Sequence, residues 1–122
     1  MRTLAQGGDE FGSWWPSINP PQITSPQDGA TGLSVVLSLL LTATPFSVDG
    51  ADVQASADWE IRTAPDGGGT VAWSSYGDTT NLLTRLVPAL SLQLGKDYYI
   101  RTRQNGATLG TGVWSPDVHI RT

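Results

Sequence analysis

The chain has 122 residues, 39% of them hydrophobic, which is enough apolar material for one continuous core in one domain. Seven basic side chains against eleven acidic ones give a net charge of −4 and a pI near 4.6, so the Lys/Arg excess that neutralises phosphates is missing and general nucleic-acid binding is excluded. Cysteine is absent, which removes disulfide frameworks, thiol nucleophiles and Cys-rich metal sites.

Residues 1–22 read as an extended N-terminal arm. Asp9, Glu10 and three glycines stand where a secretion signal needs an apolar stretch of roughly 7 to 15 residues, so conventional secretion is not expected. Phe11-Gly12-Ser13-Trp14-Trp15-Pro16 and Asn19-Pro20-Pro21 show neither helical nor strand periodicity, and the prolines favour extended chain without ladder bonds. From Ile23 to Thr122 short apolar-alternating segments separated by turn residues predict an all-β sandwich.

A short first strand ends at the turn Pro26-Gln27-Asp28-Gly29. Leu33, Val35, Leu37, Leu39 and Leu41 share one parity, which predicts a strand B over Leu33 to Leu41 with those five inward and Val36 and Leu40 outward. That run is far below the roughly 20 residues that span a bilayer, and Ser34 and Ser38 interrupt it, so no membrane partner is expected. After the loop at Asp49-Gly50, Ala57 to Thr63 forms strand C with Trp59 and Ile61 inward. Pro65-Asp66-Gly67-Gly68-Gly69 supplies a flexible hairpin connection, and Val71, Trp73 and Ser75 alternate up to a second turn at Gly77-Asp78. Leu82 to Leu94 holds strand E. Leu92, six residues before Tyr98 at the start of an alternating strand F, is the pattern of a tyrosine corner, in which the phenol bonds back to the preceding turn. Trp114-Ser115-Pro116 then leads into strand G over Val118 to Thr122.

The Leu92–Gly95–Tyr98 spacing and the Trp114-Ser115 pair before the last strand resemble the end of a fibronectin type III domain. The resemblance implies an antiparallel, immunoglobulin-like β-sandwich with strands C, F and G side by side. Ile-Arg-Thr occurs at 61–63, 100–102 and 120–122, so in that arrangement three isoleucines enter the core and Arg62, Arg101 and Arg121 share one outer face. Alternation adds Tyr99, Arg103 and His119, with Glu60 as the acidic neighbour. As a function, this face offers bidentate bonds to an acidic partner, such as a carboxylated or phosphorylated surface glycan or the acidic face of another subunit. As structure, Trp114 resembles the tryptophan of cytokine-receptor modules, whose indole stacks between strand-F arginines, and would occupy Arg101 and Arg103 within the domain. Tyr98, Trp59 and Trp114 are assigned structural roles.

Phe11, Trp14 and Trp15 are the other candidate site. Large aromatic anchors on an arm suit burial against a partner subunit, and equally a fold back over Val36 and Leu40 or the open end of the same sandwich. Catalytic signals are missing: His119 is the single histidine, and no Gly-x-Ser-x-Gly, His-Glu-x-x-His or paired glutamates occur. Asp49, Asp52 and Asp58 near one loop lack the glycine and terminal glutamate of an EF-hand, and Gly67 to Gly69 opens no helix. No enzyme, cofactor or metal site is therefore expected.

Further along, Ser25-Pro26-Gln27-Asp28-Gly29-Ala30-Thr31-Gly32, Thr44-Pro45-Phe46-Ser47, Ala55-Ser56-Ala57-Asp58-Trp59-Glu60-Ile61, Asn81-Leu82, Tyr98 to Arg103 and Trp114-Ser115 look like the fibronectin type III-like modules of tailed-bacteriophage structural proteins. The likeness spans residues 23–122. It implies a virion protein assembled in the host cytoplasm: a capsid decoration protein held by its arm on a major capsid subunit, or a tail-associated one, with self-association open. The alternative is a carbohydrate- or cell-surface-binding module that uses the C-F-G face.

Overall fold

Nine strands and no helix make up the computed structural model, which describes residues 16–122. Every strand pair is antiparallel, and the chain is an immunoglobulin-like β-sandwich. Strands β5 (Gln54–Arg62), β6 (Val71–Asp78), β8 (Asp97–Gly106) and β9 (Val118–Arg121) form one sheet in the order β6-β5-β8-β9. Facing it are β2 (Ile23–Ser25), β3 (Leu39–Ala43) and β7 (Thr84–Val87), in the order β2-β3-β7; β1 (Ser17–Ile18) pairs separately with β4 (Val48–Asp49). C, F and G are thus neighbours as β5, β8 and β9.

The core between the sheets is set by period-two burial, seen most fully in β8, where each even-numbered residue from Tyr98 to Gly106 is buried. Leu41, Trp59, Ile61 and Ile100 have no exposed surface, and Val87 and Ile120 have almost none. Two inward polar side chains bond to the backbone: the Thr102 hydroxyl donates to the Asp58 carbonyl at 2.8 Å, and the Gln104 amide nitrogen donates to the Thr44 carbonyl at 2.7 Å, while the buried Gln104 Oε1 has no partner among the described residues. The Trp59 indole N–H donates to the Asn81 carbonyl at 3.0 Å.

At the corner, the Tyr98 hydroxyl accepts the Gln93 backbone N–H at 2.9 Å, tying the turn to strand F. Tyr98→Phe keeps the ring and orphans that partly buried N–H. The expected loss is about 1 kcal/mol in urea unfolding, with an unchanged spectrum of the folded state.

Strand B departs from the sequence reading. The strand is β3, beginning at Leu39, and residues 33–38 bend away from the ladder. Leu41 is buried, Leu33, Val35 and Leu39 are partly covered, and Leu37 is 68% exposed. Backbone bonding explains this: the Leu33 N–H donates to Arg121, the Val35 carbonyl accepts from Leu90, and the Ser34 hydroxyl accepts the Val36 N–H. Local serine bonding of this kind competes with strand pairing.

The described part of the arm is joined to the sandwich. Ser17 and Ile18 pair with Asp49 and Val48, Ile18 and Pro21 are buried, and Asn19 donates to the Ser47 carbonyl at 2.9 Å. A two-residue strand is too short to display a period, and so it escapes sequence reading. The predicted turn at Gly77-Asp78 is the end of β6, and the chain reverses after it, with the Asp78 carboxylate accepting the Thr80 and Asn81 N–H groups.

Candidate functional site: the charged face of the four-stranded sheet

Register places opposite charges directly across from each other on the outer face. Asp58 faces Arg103, Glu60 faces Arg101 and Arg62 faces Tyr99 across β5 and β8; Tyr99 faces His119 and Asp97 faces Arg121 across β8 and β9. Such cross-strand pairs are the unit of sheet stabilisation. Here they close into a ladder with two carboxylates at its centre.

Glu60 is 4% exposed and takes three donors. Its Oε1 accepts from Arg101 Nε at 2.8 Å and lies 3.1 Å from an Arg62 terminal nitrogen, while Oε2 accepts from the Tyr76 hydroxyl. Burial raises the proton affinity of this carboxyl, yet the Tyr76, Arg101 and Arg62 bonds together outweigh it and hold Glu60 below the ordinary carboxylate range. Asp58, 6% exposed, follows the same physics. Burial opposes its ionisation, and the Gly77 N–H at 2.7 Å, Arg103 Nε at 2.7 Å and the Asn105 amide at 3.3 Å lower its pKa overall.

Trp114 covers the ladder from the β8–β9 connection. Its ring lies 4.1 Å from the Arg101 guanidinium and 4.3 Å from that of Arg103, so both cations stack on one indole while their Nε groups hold buried carboxylates. The hairpin at 65–69 folds over the same face instead of standing free. Arg62 Nε donates to the Gly68 carbonyl at 3.0 Å, and the Asp66 N–H donates to the Asp117 carboxylate at 2.7 Å. Gly67, with φ +74°, passes so close that a Cβ there would meet the Arg101 terminal nitrogens at 3.3 Å.

Arg62, Arg101 and Arg103 are therefore brought together and engaged within the domain. Tyr99 stacks on the His119 ring at 4.6 Å, and His119 and Arg121 share the Asp97 carboxylate at 3.0 and 2.7 Å. This trio at the β9 edge keeps exposed surface, as does an open cleft of about 520 Å³ beside it, lined by Thr63, Thr70, Gln93, Lys96, Asp97 and Tyr98. Phe11, Trp14 and Trp15 lie outside the described residues. The three loop aspartates go to separate tasks: Asp52 accepts the Val53, Thr108 and Leu109 N–H groups, Asp58 joins the ladder, and Asp49 lies 3.5 Å from the Asn19 amide.

Sequence reading missed Asp58 and Tyr76 as ladder members. Asp58 shares the parity of Glu60 and Arg62, which was sufficient signal; Tyr76 depends on the β5–β6 register, which two bulges shift.

Lowered carboxyl pKa values set a pH dependence with a definite sign. Asp58, Glu60, Asp52 and Asp97 bind protons less readily folded than unfolded, so their contribution is complete above the unfolded pKa and is lost as pH falls toward the folded one. The urea midpoint is expected to hold from about pH 7 to about pH 5 and to fall steeply below about pH 4.

Comparison with known proteins yields fold likeness alone. No protein-family model matches the chain, and no curated protein matches it. Among solved structures it is similar to part of a Streptomyces avermitilis alpha-L-rhamnosidase complexed with L-rhamnose, at 16% identity and a TM-score of 0.58, over 88% of this chain and 10% of that one. It is also similar to part of the twitchin kinase region from C. elegans (Fn31-NL-kin-CRD-Ig26). There the identity is 18% and the TM-score 0.54, over 83% of this chain and 16% of that one. The chain thus spans a tenth to a sixth of these neighbours.

Proposed function

We propose that this protein is a non-enzymatic accessory structural protein of a tailed-bacteriophage virion, a decoration module held on a capsid subunit by Phe11, Trp14 and Trp15, with the sandwich facing outward. The observation that favours attachment through the arm over a ligand on the sheet face is the closed ladder: Arg62, Arg101 and Arg103 are already bonded to buried carboxylates, and Arg101 and Arg103 are stacked on Trp114. A face so engaged serves the fold, and the aromatic anchors of the arm are left as the attachment the sequence supplies. The resemblance of residues 23–122 to phage modules supports the virion setting. Its recurrence as a small part of much longer chains suits a module that works alongside larger partners.

The second reading is a glycan-binding module, favoured by the Tyr99–His119 stack beside Arg121, an aromatic and cationic surface that stays exposed. Co-sedimentation separates the two. The intact chain and a Phe11→Ala/Trp14→Ala/Trp15→Ala variant are mixed with purified capsids and, separately, with tails. Saturable binding to capsids that the variant loses supports decoration, and binding to tails alone moves the attachment there. Retention on a glycan array that is lost in Tyr99→Ala, with no particle binding, would replace the virion reading.

A further inference from the structure

The three-stranded sheet turns an apolar face to solvent. Leu40 and Leu86 stand directly opposite each other across β3 and β7, 47% and 51% exposed. Threonines flank them: the Thr24 and Thr42 hydroxyls meet at 2.6 Å, and Thr84 is the register partner of Thr42. Leu37 and Leu90, 68% and 74% exposed, edge a separate small hollow lined by Leu39 and Val87, whose parity is that of the core side. Among the described residues, no charged side chain of β2, β3 or β7 shares this face. Arg85 has the opposite parity, its guanidinium 5.5 Å from the Trp73 ring centre and its Nε 3.4 Å from Asp78.

Leu90 lies at the edge of that hollow. It holds φ +66°, a left-handed conformation that costs a bulky L-residue free energy, and it does so with its side chain in water. The Leu90 N–H bond to the Val35 carbonyl at 2.7 Å fixes the turn.

We propose that this face is where two copies of the chain pair. The chain carries a net charge of −4, so most like-on-like contacts oppose charges of one sign, whereas this leucine–threonine face opposes none. Its layout also matches itself. A two-fold axis running along the strands between β3 and β7 sets Leu40 of one copy over Leu86 of the other, and the reverse, at the spacing of about 10 Å usual for stacked sheets. Such a contact closes at two copies.

The test is sedimentation equilibrium of the full chain up to about 100 μM, with circular dichroism melts to confirm folding. The mass is expected to rise from 13.0 kDa toward twice that value. Leu40→Asp and Leu86→Asp, each placing a charge at a half-exposed position, should weaken pairing at least about tenfold without lowering the melting temperature. Leu40→Asp/Leu86→Arg in one chain should restore it, because the axis sets each Asp over an Arg. Leu40→Thr/Leu86→Thr provides a second weakening variant if an aspartate chain unfolds. A mass of 13.0 kDa at every concentration would overturn the proposal. So would a dimer indifferent to both positions, or a dimer formed only when Phe11, Trp14 and Trp15 are alanine, the last meaning that the arm covers this face in its own chain.

Discussion

Glu60→Gln is expected to lower stability by about 3 kcal/mol, among the largest effects of any single change on the outer face. The glutamine fills the same space and still accepts the Tyr76 hydroxyl, so neither a cavity nor a lost shape is responsible. What disappears is the charge that Arg101 and Arg62 share while only 16% and 18% exposed, leaving two cations poorly hydrated and unpaired. Equilibrium urea unfolding at neutral pH measures the loss. Adding Arg101→Met to Glu60→Gln should recover part of it, since an apolar stem can still lie against Trp114 and one unpaired charge is gone. A purely steric role for Glu60 would predict no recovery. The glutamine variant should also lose part of the acid sensitivity described above.

Trp59→Ala is expected to cost about 3–5 kcal/mol, a large share of the total of roughly 5–15 kcal/mol typical of a folded domain. Trp59 has no exposed surface and lies at the centre of the core with Leu41, Ile61 and Ile100. Truncation removes a bicyclic ring from a space that cannot fully collapse and strips the Asn81 carbonyl of its donor. Thermal unfolding followed by circular dichroism should show a much lower and broader transition. Trp59→Phe, which refills most of the volume, should fall well short of that loss.

Both residues show what the sequence disclosed. Trp59 was legible because strand C alternates, and the corner was legible because Leu92 and Tyr98 have a fixed spacing. The Arg–Trp–Arg stack followed from the resemblance at Trp114-Ser115, not from periodicity. Strand B misled because Leu33 to Leu41 alternates by parity, while Ser34 and the strand ends capture the backbone bonds of its first half. Ser17–Ile18 stayed hidden because two residues carry no pattern, and the covering role of the 65–69 hairpin arises from long-range bonds to Arg62 and Asp117. Parity, with the C-F-G order that the resemblance implies, placed the arginines on one face; whether they point at a ligand or at Glu60 and Asp58 is a matter of three-dimensional partners.

The central claim is that these arginines are held by buried carboxylates instead of being offered to a ligand. An NMR titration of the side-chain carboxyl carbons tests it most directly. Glu60 and Asp58 are predicted to titrate below the ordinary carboxylate range, with Arg101 and Arg103 Nε protons protected from exchange until the two carboxyls protonate. Ordinary titration of both carboxyls with freely exchanging arginine protons would contradict the claim and return the face to the status of a binding surface.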